Sequence, residues 1–305
     1  MTGAGATGGH DPLVGVVTLF SAARLGHALN QMAALRGSGV RHVGVWLDEA
    51  EAPTIEGVTG IHVPPGAAGM RLAAGRNAGA RAAIDAGAEL LVFLDADCLP
   101  GPELLRLYGA AAAQLPGAVL CGPVTYLAEG FQGQTPDELA VATAPHPARP
   151  NPAAGECVVA PAGQHALFWS LSFAVTPATW MLSGGFSELY EGYGAEDTDF
   201  AARLGPAGLD LVWVGGAHAY HQYHPTSTPP WQHLDDILRN AGIFWQRWGW
   251  WPMQGWLDAF AAAGAIELVD GVWRRVVEDA SDAPESSESS AAGTRQGLGL
   301  GIGPT

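Results

Sequence analysis

Between residues 13 and 94, short apolar β-branched runs take turns with segments of helical spacing, and that alternation leaves few architectures open. Residues 13–20 (LVGVVTLF) read as a strand, after which Leu25, Leu29, Met32 and Leu35 recur on one helical face. A second strand over 40–47 ends at Asp48-Glu49, a third over 61–63 stops at Pro64-Pro65, residues 71–86 read as a helix and 89–94 as the next strand. Strand and helix in alternation predict an α/β fold, a doubly wound, mostly parallel sheet flanked by helices. Ligands of such sheets bind beyond the carboxyl ends of the strands, where Asp48, Asp95 and Asp97 all fall.

The run Leu90-Leu91-Val92-Phe93-Leu94-Asp95-Ala96-Asp97 ends a buried strand in two carboxylates spaced i, i+2. In extended chain both point to one side and can converge on one cation. The plainer reading is a turn, continued by Cys98-Leu99-Pro100-Gly101. Against it, two acids delivered together by a buried strand need something to offset their repulsion.

The chain has 305 residues, 48% hydrophobic and 14% charged, enough for one large or two ordinary domains with a real core. Its net charge of −16 argues against nucleic acid or an anionic membrane surface as partner, since phosphate backbones demand basic patches. Every one of the 14 basic residues is Arg, which with the abundant Ala and Gly reads as the GC-rich coding of a bacterium. Cys98, Cys121 and Cys157 form no CxxC spacing, so neither a disulfide framework nor a zinc knuckle follows. Residues 1–11 read as a flexible, Gly-rich leader without signal-peptide features, and no apolar stretch is long enough to span a membrane. The cytoplasm is the default location.

Farther on, residues 103–114 read as a helix, 118–126 as a strand, 129–165 as a long Pro/Gly/Ala-rich loop or flap, and 168–175 and 209–214 as strands. Residues 231–268 are helical in pattern and crowded with Trp245, Trp248, Trp250, Trp251 and Trp256, a density that suits capping of a core or an oligomer interface. The Ser/Gly/Glu-rich tail, 279–305, reads as disordered. The expected division is an α/β half over 12–128, a second half over 129–225 and a C-terminal helical segment over 226–278.

A second informative segment is Gly184-Gly185-Phe186 followed, after Gly192-Tyr193-Gly194-Ala195, by Glu196-Asp197-Thr198-Asp199-Phe200. Glycines let backbone approach a ligand closely, and the acids open a helix whose dipole they complement. The dipole accounts for their sign but not for the glycine lead-in.

Taken in order, Asp95-Ala96-Asp97, Gly184-Gly185-Phe186 and Glu196-Asp197-Thr198-Asp199-Phe200 resemble the family 2 glycosyltransferases and the galactosyltransferase C-terminal region of the GT-A fold, over roughly residues 14–225. The resemblance implies an inverting hexosyltransferase that takes a nucleoside diphosphate sugar, UDP-linked by family frequency, and a hydroxyl acceptor. It also implies a divalent cation, Mn2+ or Mg2+, with Asp95 and Asp97 near the diphosphate. Asp197 is then the catalytic base and Glu196 orients the acceptor, with Gly185 and Trp169 on the acceptor side.

By the same resemblance Arg76-Asn77-Ala78-Gly79 meets the nucleotide diphosphate or base, and Asp48 meets the uracil or ribose, although the usual Asp-Asp-x-Ser is missing there. His218, His221 and His224 follow the last strand; on a straight strand His218 and His224 would face one way and His221 the other. The resemblance makes His221 the first choice for the metal and His224 the second. Two rivals are a sugar-phosphate nucleotidyltransferase, for which residues 21–26 are too poor in Gly and basic groups, and a non-catalytic sugar-nucleotide or glycan-binding module.

Overall fold

The computed structural model describes residues 12–133 and 135–276; the leader and the tail expected from sequence lie outside them. The chain runs β1 (Val14–Phe20), α1 (Leu25–Ala34), β2 (Arg41–Trp46), β3 (Val58–His62), α2 (Leu72–Asp85) and β4 (Leu90–Leu94). After these come β5 (Cys98–Pro100), α3 (Leu104–Gln114), β6 (Ala118–Cys121), β7 (Val124–Tyr126), α4 (Pro136–Ala142), β8 (Cys157–Val159), β9 (Ser172–Val175) and α5 (Pro177–Ser183). The last elements are α6 (Glu196–Leu204), β10 (Asp210–Val214), β11 (Ala219–His221), α7 (Leu234–Trp248), α8 (Gln254–Ala262), β12 (Ile266–Val269) and β13 (Val272–Arg275).

Eight strands form one sheet in the order β3-β2-β1-β4-β9-β6-β10-β8. β1, β2, β3 and β4 are parallel, as are β6 and β10, whereas β9 runs antiparallel between β4 and β6 and β8 antiparallel on β10. The sheet is covered on both faces: Leu91 and Phe93 enter one core with Val17, Val45 and Phe173, while Leu90, Val92 and Leu94 enter the other with Leu104, Leu107 and Tyr108. Every residue of β4 is at most 1% exposed, and each such side chain contributes about 1.5–3 kcal/mol on burial. Double-sided burial is why this strand reads as a continuous apolar run and not as an alternation.

Helix α2 lies tight on β1 because Gly79 faces Val17 and Val45, where a side chain would collide. That close approach carries Arg76, one turn earlier, over the carboxyl end of the sheet.

Three expectations need correction. The stretch 129–165 is not one irregular loop: it holds α4, started by a Thr135/Glu138 capping box, and β8. The strand expected over 118–126 breaks at Gly122-Pro123 into β6 and β7, because Gly122 abuts the Ala217 backbone and Pro123 has no N–H to give a ladder. The helical pattern of 231–268 breaks at Gly249, in the left-handed region at φ 72°, and ends in the β12–β13 hairpin around Asp270-Gly271, a dipeptide suited to tight hairpin turns.

Candidate active site and metal centre

The small sheet β5-β11-β7 builds the candidate metal end of the site. β11 is antiparallel to β5 with His221 opposite Cys98, so Asp97, one residue before β5, stands beside His221. Gln222 N–H donates to the Asp97 carbonyl at 2.6 Å and fixes the turn. β11 ends at His221, so the chain beyond it bends and returns His224 to the same carboxylate. Asp97 Oδ1 lies 3.5 Å from His221 Nε2, and Oδ2 lies 3.2 Å from His224 Nε2.

A straight strand through His224 does not exist, which is why the expected division of the histidines by side fails. His218 takes no part: it is buried with its Nε2 2.7 Å from Thr125 Oγ1.

One ligand atom from each of Asp97, His221 and His224 falls within 4.8 Å of the others. A carboxylate with two imidazoles suits a divalent cation of the Mn2+ kind, harder than a thiolate site would select. The state of the groups fits as well. Burial would raise Asp97, but the His224 hydrogen bond, then His221 and Arg24, outweigh it and hold the carboxyl below its usual range. Burial pushes His221 down and so favours its neutral, ligating form.

Asp95 points elsewhere. Its Oδ1 accepts from Arg76 Nη2 at 3.3 Å, and Arg76 Nη1 donates to Glu196 Oε1 at 3.1 Å. Arg76 is 4% exposed, so one buried guanidinium joins the β4 turn to the start of α6. Burial, reinforced by the Asp97 charge and opposed by Arg76, raises Asp95 to about 6.

The turn that carries both acids is held from below by Gln31, whose Nε2 donates to the carbonyls of Asp95 at 2.6 Å and Cys98 at 2.8 Å. Its Oε1 accepts from Thr18 Oγ1 at 2.5 Å. The signal for Gln31 was present: a polar residue in phase with the buried Ala28, Met32 and Leu35 of α1.

The second half of the site is the entry to α6. Ala195 occupies the left-handed region at φ 73° although it carries a side chain, and it is fully buried. Asp197 Oδ1 accepts from Thr198 N–H at 2.7 Å and from Thr198 Oγ1 at 3.2 Å. Burial and the neighbouring Glu196 charge raise Asp197 to about 7, against the opposing effect of Arg76 and the Thr198 hydrogen bonds. Asp199, the third acid of the motif, is consumed internally by Arg203 at 3.1 Å, Arg247 at 3.2 Å, Tyr190 Oη at 3.1 Å and Trp248 Nε1 at 2.9 Å.

The remaining expected residues have their own contacts. Asn77 Oδ1 accepts the Phe186 N–H at 2.8 Å and its Nδ2 donates to the Phe186 carbonyl and to Glu188, each at 2.9 Å, so it clamps the glycine turn. Gly185, at φ 66°, is buried under that clamp, with its carbonyl accepting from Arg203 Nη2. Asp48 accepts the Ala22 N–H at 2.6 Å and ties the ends of β1 and β2 together. Trp169 is half-buried, with the Arg149 guanidinium 5.4 Å from its ring and His146 edge-on at 5.0 Å.

Several residues with evident parts here were not singled out from sequence. Arg24 Nε lies 3.4 Å from Asp97 Oδ2. Tyr126, half-exposed, stacks on His221 at 4.5 Å, as the register of β7 against β11 requires. Asn240 of α7 is fully buried and donates through Nδ2 to the carbonyls of Glu191, Tyr193 and Gly194 at 2.9, 3.2 and 3.0 Å. No sequence spacing links these residues; only the completed topology does.

This architecture is that of the GT-A glycosyltransferase fold. Residues 165–225, which include the glycine turn, Glu196-Asp197 and both His221 and His224, match the family described as the N-terminal domain of galactosyltransferase. Among solved structures the chain is similar to GalNAc-T7 crystallised with UDP, GalNAc and Mn2+, at TM-score 0.50 and 13% identity over 70% of this chain and 44% of that one. It is also similar to TarS of S. aureus, at TM-score 0.48 and 13% identity over 75% of this chain and 39% of that one. The chain thus spans less than half the length of either structure. No curated protein sequence matches it. Among the described residues no helix is long and apolar enough to cross a membrane.

Proposed function

We propose that the chain is an inverting, metal-dependent glycosyltransferase that moves a hexose from a nucleoside diphosphate sugar, UDP-linked, to an acceptor hydroxyl. The observation that carries this reading is the bridge from Asp95 through Arg76 to Glu196, which links two differently tuned acid groups, one at each end. Asp97 is held ionised beside two imidazoles. Asp197, one residue past the Arg76-paired Glu196, is poised to about 7. A cation seat and a base near neutrality are the two parts that displacement of a diphosphate by a hydroxyl needs. The GalNAc-T7 structure, which holds UDP, GalNAc and Mn2+, shares the fold.

Asp97, His221 and His224 would hold the divalent cation, which supplies charge compensation for the departing diphosphate. Asp197 takes the proton from the acceptor hydroxyl as its oxygen forms the bond to the anomeric carbon and the bond to the diphosphate oxygen breaks. Because Thr198 occupies Oδ1, Oδ2 is the oxygen that receives the proton. Arg76 keeps Glu196 in place beside it for a second acceptor hydroxyl. A single displacement, with one base and a metal-held leaving group, inverts the anomeric configuration; a hydrolase of glycosides would also need a protonated acid at the leaving oxygen.

Asp197→Asn should abolish transfer while nearly sparing binding of UDP with Mn2+, whereas Asp97→Ala should weaken that binding. Wild-type activity in Asp197→Asn would overturn the base assignment. If a panel of UDP-, GDP- and dTDP-sugars with Mn2+ neither raised the melting temperature nor released nucleotide in the presence of acceptors, the enzyme reading itself would fall.

A further inference from the structure

Arg24 opens α1, beyond the carboxyl end of β1, and shares an oxygen with the cation seat. Its Nε lies 3.4 Å from Asp97 Oδ2, the same oxygen that faces His224 Nε2 at 3.2 Å. Its Nη2 lies 3.1 Å from His224 Nδ1. Among the described residues its side chain has one further hydrogen bond, to the neighbouring Ala23 carbonyl at 3.5 Å, and it is 35% exposed. Arg24 is therefore a cation already in contact with two of the three candidate ligands, on an arm that among the described residues has only the long Ala23 hydrogen bond besides.

Resting on the glycosyltransferase reading, we infer that Arg24 stands in for the divalent ion while the seat is empty and passes to the donor's diphosphate when the ion enters. A divalent cation sharing Asp97 Oδ2 with a guanidinium places like charges on one oxygen, so one of them must leave, and the tethered one can only turn. At the end of β1 it turns into the space beyond the parallel strands, where a ligand of such a sheet lies. A diphosphate brought there by the ion is an acceptor for which a guanidinium fork is built. Asp97 is in this way never left buried without a cation, and the metal alone competes for its seat until the nucleotide arrives to occupy Arg24. Metal and nucleotide then bind with positive coupling.

The test uses the full chain, with free Mn2+ followed by electron paramagnetic resonance and UDP by calorimetry. Arg24→Gln is expected to bind Mn2+ alone several-fold more tightly than wild type. In saturating Mn2+ it should bind UDP about tenfold more weakly, the worth of one charge-assisted hydrogen bond. Arg24→Lys, which keeps the charge but not the fork, should restore only part of the UDP affinity. If Arg24→Gln binds Mn2+ alone no better than wild type, or binds UDP equally well, the inference is overturned. A wild-type protein that binds neither Mn2+ nor UDP overturns the underlying reading instead, so the two failures are distinct.

Discussion

Arg76 and Glu196, 120 positions apart in sequence, are joined by a hydrogen bond of 3.1 Å that ties the two halves of the site together. The guanidinium lies between Asp95 and Glu196 and lowers the cost of gathering acids at one sheet end. Arg76→Met should lose about 3–5 kcal/mol of stability by chemical denaturation, because it leaves a buried carboxylate uncompensated. Arg76→Lys should recover part of the stability but not the two-sided bridge. Equal stability of Arg76→Met and wild type would show that the bridge is incidental.

The rate of transfer should rise with pH through about 7, since Asp197 must be ionised to accept a proton and its carboxyl is raised to about 7. Below that, kcat/KM should fall about tenfold per pH unit. The profile to measure is log kcat/KM from pH 5 to 9 at saturating Mn2+; a flat profile across pH 6–8 would contradict the assignment.

The same shift predicts a stability effect. An acid whose folded pKa is raised stabilises the fold fully below its unfolded value, near 4, and loses that contribution as pH rises through about 7. Asp197→Asn removes the cost of charging this partly buried group, so without metal it should melt higher than wild type at pH 8. The gap should narrow as pH falls below about 7 and close only below about 4, where Asp197 is protonated in the unfolded chain as well.

His221→Ala and His224→Ala should each weaken Mn2+ binding, while His218→Ala should leave it unchanged and cost stability instead, because His218 serves Thr125 in the interior. Titration of Mn2+ into the three variants separates these outcomes.

Asn240 gives one amide nitrogen to three carbonyls of the loop that leads to Glu196 and Asp197. Asn240→Ala should cost about 1–3 kcal/mol through the acceptors it strands and should lower kcat more than it raises KM. A change confined to KM would place the effect on substrate binding and not on the loop.

Much of the fold could be read from sequence because its determinants are local. Residues 90–97 announce a doubly buried strand and its acidic end, and the alternation around them announces the sheet. What was not legible is what depends on the third dimension. The pairing of Arg24 with Asp97 and the support of the Asp95 turn by Gln31 follow from β1 lying next to β4, which no spacing encodes. The resemblance ranks His221 above His224, yet both face Asp97, because the side a histidine faces depends on where β11 stops, and it stops at His221. Asn77 lies in the Arg-Asn-x-Gly segment read as donor-binding, yet its amide is spent on the Phe186 turn, a partner 109 residues away. Stretch 129–165 reads as one long loop or flap in the sequence because α4 and β8 are too short for periodicity to register.

Helix α7 carries neither the candidate base nor a candidate metal ligand, yet Arg239 on it reaches both the Ala68 and the Glu191 carbonyls, and Asn240 the loop beyond. Three stretches of chain, one from each third of the sequence, thus share one anchor. Their loosening is coupled, so a cut or a destabilising change in α7 would silence the chemistry at the entry to α6 before the sheet itself came apart.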